Sequence, residues 1–195
     1  MTATVLFVPG LRDHVAEHWQ TLMAARLPGS RTVEPLEHDK LSCAARIAAL
    51  DAAIKAIDGP VLLVAHSAGC LMVVHWAKAH SADIVGALLA TPADIERPFP
   101  AGYPTPDQLE ENGWLPIPRQ PLPFKTMVVA SLDDPLGDYD RVCDMAKAWG
   151  AELSDAGAVG HLNPASGFGP WDAAEEHLLA LCLDLPLAVS SVAEV

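Results

Sequence analysis

A chain of 195 residues that is 51 % hydrophobic and 19 % charged is long enough to bury roughly 70 % of its unfolded surface around one core. Its formal charge of −13, with no clustered Lys or Arg, repels phosphate backbones and anionic lipid and speaks against nucleic-acid and membrane-surface partners. No apolar run reaches the eighteen residues a membrane span needs.

The opening MTATVLFVPG lacks a basic n-region and reads as a first core strand rather than an export signal. Six short β-branched or Leu-rich runs follow one another along the chain: Thr4 to Val8, Arg31 to Leu36, Pro60 to Ala65, Ile84 to Ala90, Thr126 to Ser131 and Ala151 to Asp155. Segments of helical period separate them, with readable ends. Ser42 is placed to cap a helix reaching Ile57, Thr105 and Gln108 form a capping box around Pro106, and Gly150 follows a helix starting near Asp138. This alternation predicts a three-layer α/β/α sandwich with a six-stranded, mainly parallel sheet. A single domain is expected over residues 1–187, with a tail over 188–195. Sites in such sheets form beyond the carboxyl ends of the strands.

Between Thr91 and Phe124 the rhythm breaks. Nine of the seventeen prolines fall there, which is too Pro-rich for a domain and reads as a rim over the top of the sheet or a plain long connection. Four widely spaced cysteines (Cys43, Cys70, Cys143, Cys182) form neither C-x-x-C nor a zinc-finger pattern. They read as inert thiols in a reducing cytoplasm.

The chemistry concentrates at three predicted strand ends. In VLLVAHSAGC, residues 61–70, a strand runs into HSAG and then a helix, so Ser67 sits at a sharp strand-to-helix corner of the nucleophile-elbow type. Ala65 and Gly69 keep that corner uncrowded, although the usual first residue of the pattern is Gly. The N–H of Ala68 lies in the first helical turn, where unpaired donors and the dipole favour an oxyanion. Helix capping alone would also account for Ser67.

A serine nucleophile needs a base. Of eight histidines, His161 follows Gly160 in the loop after the last strand and emerges at the same sheet edge. Asp133 and Asp134 leave that edge after the fifth strand; Asp134, beside Pro135, is preferred as the group orienting the histidine, with Asp133 as the alternative. After the first strand, Gly10 and Leu11 lie in a tight loop whose Leu11 N–H can supply a second oxyanion donor. His66, Gly10 and Trp171 are the candidate substrate-binding residues, and the Trp171 loop and the Pro-rich segment would rim an open cleft for short acyl groups.

VPGLRDHVAEHW, AHSAG, SLDDP and GHLNPASGFGPW resemble the α/β-hydrolases, and more closely the small serine-hydrolase family of retinoblastoma-binding protein 9 and the bacterial YdeN-like proteins. The resemblance implies a compact fold without a cap domain, a Ser67–Asp134–His161 triad and a serine hydrolase, with no defined natural substrate. The expectation drawn from the whole sequence is hydrolysis of small esters or amides, with no cofactor or metal. LSCAA, Leu41 to Ala45, lacks the glutamate of L-x-C-x-E, so that family's protein-binding role is not carried over and a protein partner is unknown. Two rivals remain. One is a catalytically silent binding module on the same fold. The other is a zinc hydrolase using HVAEH, residues 14–18, in which His14 and His18 would ligate and Glu17 act as base.

Overall fold

β1 (Thr4–Val8), β3 (Val61–His66) and β4 (Ile84–Ala90) are almost wholly apolar strands, the pattern of a sheet covered on both faces. The computed structural model describes residues 3–181 and assembles them with β2 (Arg31–Thr32), β5 (Thr126–Ala130) and β6 (Glu152–Asp155) into one sheet of order β2-β1-β3-β4-β5-β6. Every pairing is parallel. The boundary expected after residue 187, and Cys182, lie outside the described residues.

Alternate residues serve alternate faces. Leu6, Val8, Leu63, Ala65 and Leu89 pack beneath α2 (Cys43–Lys55), α3 (Ala68–Ala79), α4 (Pro106–Glu111) and α5 (Tyr139–Ala148). Phe7, Leu62, Val64 and Leu88 pack against α1 (Trp19–Arg26) and α6 (Ala173–Leu181) on the other side. The caps at Ser42 and Thr105 form as the sequence predicts: Ser42 accepts from Ala45 N–H, and Thr105 and Gln108 close the capping box. The helix expected to start near Asp138 does so, with Asp138 accepting from Arg141 N–H.

β2 is shorter than the expected Arg31–Leu36. Only Arg31 and Thr32 pair with β1, and Val33 N–H adds one further bond to Phe7 O at 2.9 Å. Pro35, two residues on, has no N–H to continue an edge ladder. HVAEH also differs from the zinc reading, which needs a helix. α1 begins only at Trp19, with His18 as its extended N-cap, so His14 and His18 do not share a helical face. Among the described residues no group of three His, Cys, Asp or Glu side chains is arranged to hold a metal ion, and no helix is long and apolar enough to cross a membrane.

The chain leaves β1 toward β2 on one side and returns as β3 on the other. The carboxyl ends of β1 and β3 therefore flank a switch point where a crevice must open.

Candidate active site

Ser67 follows β3 directly and has φ 58° and ψ −128°, a region that non-glycine residues occupy only when the surroundings force them. Its side chain makes no capping bond to α3, so the capping explanation for this serine falls away. The neighbours explain the tightness of the turn. A Cβ on Gly69 would lie 2.2 Å from Val8 O, and one on Gly10 would lie 3.1 Å from Ser67 Cβ. Ala65 is fully buried in β3, so a methyl group is accommodated where the common pattern has glycine.

Ser67 and His161 line one cavity of about 440 Å³ at the switch point, together with Gly10, Leu11, His66 and Ala68. His161 Nδ1 lies 2.8 and 2.9 Å from the two carboxylate oxygens of Asp134. That pair is almost sealed from solvent, with side chains 4 % and 2 % exposed. Nε2 is the nitrogen left for a reacting group; no hydrogen bond joins it to Ser67 Oγ, a contact that commonly tightens only when substrate binds. Asp133 takes a different part. Its Oδ1 accepts from Ser131 Oγ at 3.0 Å and from Gly160 N–H at 2.7 Å, anchoring the loop that carries His161.

That loop is locally over-determined. His161 N–H donates to Ser166 Oγ at 3.0 Å, and Ser166 is held by Asn163 Oδ1. Gly160 has φ +56°, and a Cβ there would lie 2.4 Å from Ser166 Oγ. The GH-x-N-x-x-S spacing thus has a mechanical reason: a glycine lets the serine approach, and the serine fixes the histidine backbone. His66 secures the other side, its Nε2 lying 2.8 Å from His161 O. Sequence reasoning missed Asn163 and Ser166 because their partners are set by the fold of the loop, although both stand in the quoted motif.

The two candidate oxyanion donors belong to residues that line the cavity with Ser67. Ala68 is the first residue of α3, and its N–H has no acceptor within the helix. Leu11 N–H has no protein partner among the described residues. The Leu11 loop is pinned by Arg46, a side chain 4 % exposed, which donates to Leu11 O at 3.2 Å, Asp13 Oδ1 at 2.9 Å and Lys40 O at 2.6 Å. Loss of this clamp should disturb a hydrogen-bond donor without touching substrate. Arg46→Met is expected to lower kcat roughly 10- to 100-fold with little change in KM, with Arg46→Lys recovering part of it. Steady-state kinetics of both variants test this, and a change confined to KM would contradict it.

His18 and His66 form a ring ladder toward His161, with centroids 4.5 Å and then 4.8 Å apart. Burial, aided by the nearby charge of His161, lowers His18 to about 4; burial likewise holds His66 well below its ordinary value. The unfolded chain therefore binds more protons than the folded one between pH 6.5 and about 4. Stability is fully present above that window and falls as pH drops through it, by up to about 3 kcal/mol for His18. His18→Asn replaces the Nδ1 that accepts from Gln20 N–H with a capping oxygen and removes the titration. Urea midpoints from pH 7 to pH 4.5 should fall less steeply for this variant than for the wild type; equal slopes would refute the assignment.

Trp171 is not where the sequence reading put it. It packs edge-on against Trp19, with centroids 4.9 Å apart, in the α1/α6 core, and does not line the cavity. The loop turns inward because its indole finds an apolar partner there. The Pro-rich segment does border the opening, through Phe99, Tyr103 and Pro104.

The model of a family described as serine hydrolase matches residues 5–180 of the chain. Among solved structures, a YdeN-like hydrolase from Pectobacterium atrosepticum is similar at 31 % identity and a TM-score of 0.81, with 95 % of this chain and 94 % of that one covered. The ydeN gene product of B. subtilis shares 18 % identity at a TM-score of 0.72, covering 92 % and 98 %. Est1E from Butyrivibrio proteoclasticus shares 13 % at 0.65, covering 92 % and 88 %. These last two likenesses concern the fold alone. No curated protein matched the chain.

Proposed function

The chain belongs to the serine hydrolase family, a hydrolase of α/β-hydrolase fold, and from that premise we propose that it cleaves small esters, or amides, through an acyl-enzyme on Ser67. Ser67 Oγ attacks the acyl carbon and its proton passes to His161 Nε2, while Asp134 holds Nδ1–H and steadies the imidazolium. The N–H groups of Leu11 and Ala68 receive the oxyanion. Collapse expels the alcohol or amine with the proton from His161, and water, activated by the same imidazole, releases the acid.

The single observation carrying this reading is the buried His161–Asp134 pair beside a strained Ser67 at one cavity. A silent binding module would not need two open N–H donors at the cavity of a backbone-strained serine. Gly10 and His66 border the cavity as proposed substrate contacts. The cytoplasm is the proposed location, supported by the free state of Cys43, Cys70 and Cys143. Burial raises the Cys43 thiol to about 11 and Cys70 well above its ordinary value, so neither competes as a nucleophile.

The cavity, about 440 Å³ and bordered by Leu41, Ile95, Phe99 and Leu136, falls in the usual range for small-molecule sites. Turnover of p-nitrophenyl esters of graded chain length is therefore expected to peak at an intermediate chain rather than at acetate. Absence of turnover above the Ser67→Ala background for every chain length would overturn the reading.

A further inference from the structure

The cavity's charges run against those of the molecule. The chain carries −13 overall, yet among the described residues Arg12, Asp13 and Lys40 are the Lys, Arg and acidic residues that border the cavity. Asp13 is already neutralised by Arg46 at 2.9 Å. Arg12 and Lys40 are exposed, and among the described residues neither is in an ion pair. Arg12 is also placed rather than free: its guanidinium lies 5.0 Å from the centroid of the Tyr103 ring at the cavity edge. This contact leaves the guanidinium's N–H donors without a hydrogen-bond partner among the described residues, in the planar fork that matches a carboxylate. The acidic remainder of the surface discourages an anion from settling elsewhere.

We propose that the substrate is an anionic amphiphile, with an apolar body that fills the cavity and a carboxylate that reaches Arg12 and Lys40 at its mouth. This specificity rests on the hydrolase reading above. The apolar walls supply affinity without direction, and the two cations set which end of the molecule stays outside. The ester carbonyl is thereby aligned with Ser67 rather than sliding past it.

Two matched ester pairs test this and distinguish the side that carries the charge. Monomethyl adipate against methyl hexanoate places the carboxylate on the acyl half; the acetate ester of a hydroxyalkanoate against the matching alkyl acetate places it on the alcohol half. The wild type should prefer the charged member of at least one pair by about tenfold in kcat/KM at low salt. Added NaCl should shrink the preference, and Arg12→Gln with Lys40→Gln should bring the ratio to about one. Neutral esters cleaved as well as charged ones in both pairs, or a ratio the double substitution leaves unchanged, would overturn the proposal while sparing the hydrolase reading. Calorimetric binding of hexanoate to Ser67→Ala protein decides the matter independently of turnover. Binding weakened about tenfold by the double substitution sustains the anion site even if no ester is cleaved; no binding, or binding indifferent to it, overturns the site.

Discussion

Ser67→Ala and His161→Ala are each expected to lower kcat by roughly 10⁴- to 10⁶-fold, with the double variant no slower than the worse single one. The reason is chemical. A serine hydroxyl without a base is a poor nucleophile, and a base without its serine has no proton to move in the acylation step. Either loss leaves the same residual device, the cavity and the N–H donors of Leu11 and Ala68. Asp134→Asn should be the milder change, because the ring stays in place but loses the partner that fixes its tautomer. Steady-state rates of the three single variants and the double variant provide the check. A double variant slower by the product of the single losses would mean that Ser67 and His161 do not act in one step.

Gly69→Ala is the substitution expected to cost most in folding. Its added Cβ would sit 2.2 Å from Val8 O and 2.8 Å from Pro9 O. Both obstacles are backbone atoms at the end of a central strand, so they cannot move aside by changing rotamer. Either the N-terminus of α3 lifts from β1 or the β1 loop shifts, and both movements separate the Leu11 loop from Ser67. A loss of about 3 kcal/mol or more is expected, with activity falling even in the folded fraction. Gly169→Ala is the matched control, since its nearest neighbour would be a Leu22 methyl at 3.9 Å. Urea denaturation should separate the two variants clearly, and equal midpoints would show that the close approach at Gly69 is not real.

The six strands, the caps at Ser42 and Thr105, and the three loops that meet at the cavity were legible in the sequence because each depends on local chemistry. Apolar runs, Ser42, Thr105 with Gln108 and the helix start near Asp138 declare themselves without tertiary knowledge. What escaped depends on contacts across the fold. Arg46 lies on α2 and acts on the Leu11 loop, 35 positions away in the chain. Ser166 and Asp133 work by holding the backbone of the His161 loop, a use that side-chain chemistry does not reveal. Trp171 was misplaced because an aromatic residue in a site-proximal loop suits a rim and a core equally, and Trp19 decided between them. β2 was overextended because the run containing Val33 looked strand-like while Pro35 ended its pairing.

Mass-spectrometric mapping of a fluorophosphonate adduct tests the central claim most directly, since such a probe reports a serine already activated by its surroundings. The account predicts one adduct per chain, on Ser67, lost in Ser67→Ala and strongly slowed in His161→Ala. An adduct on another residue, or none on the native protein, would contradict it.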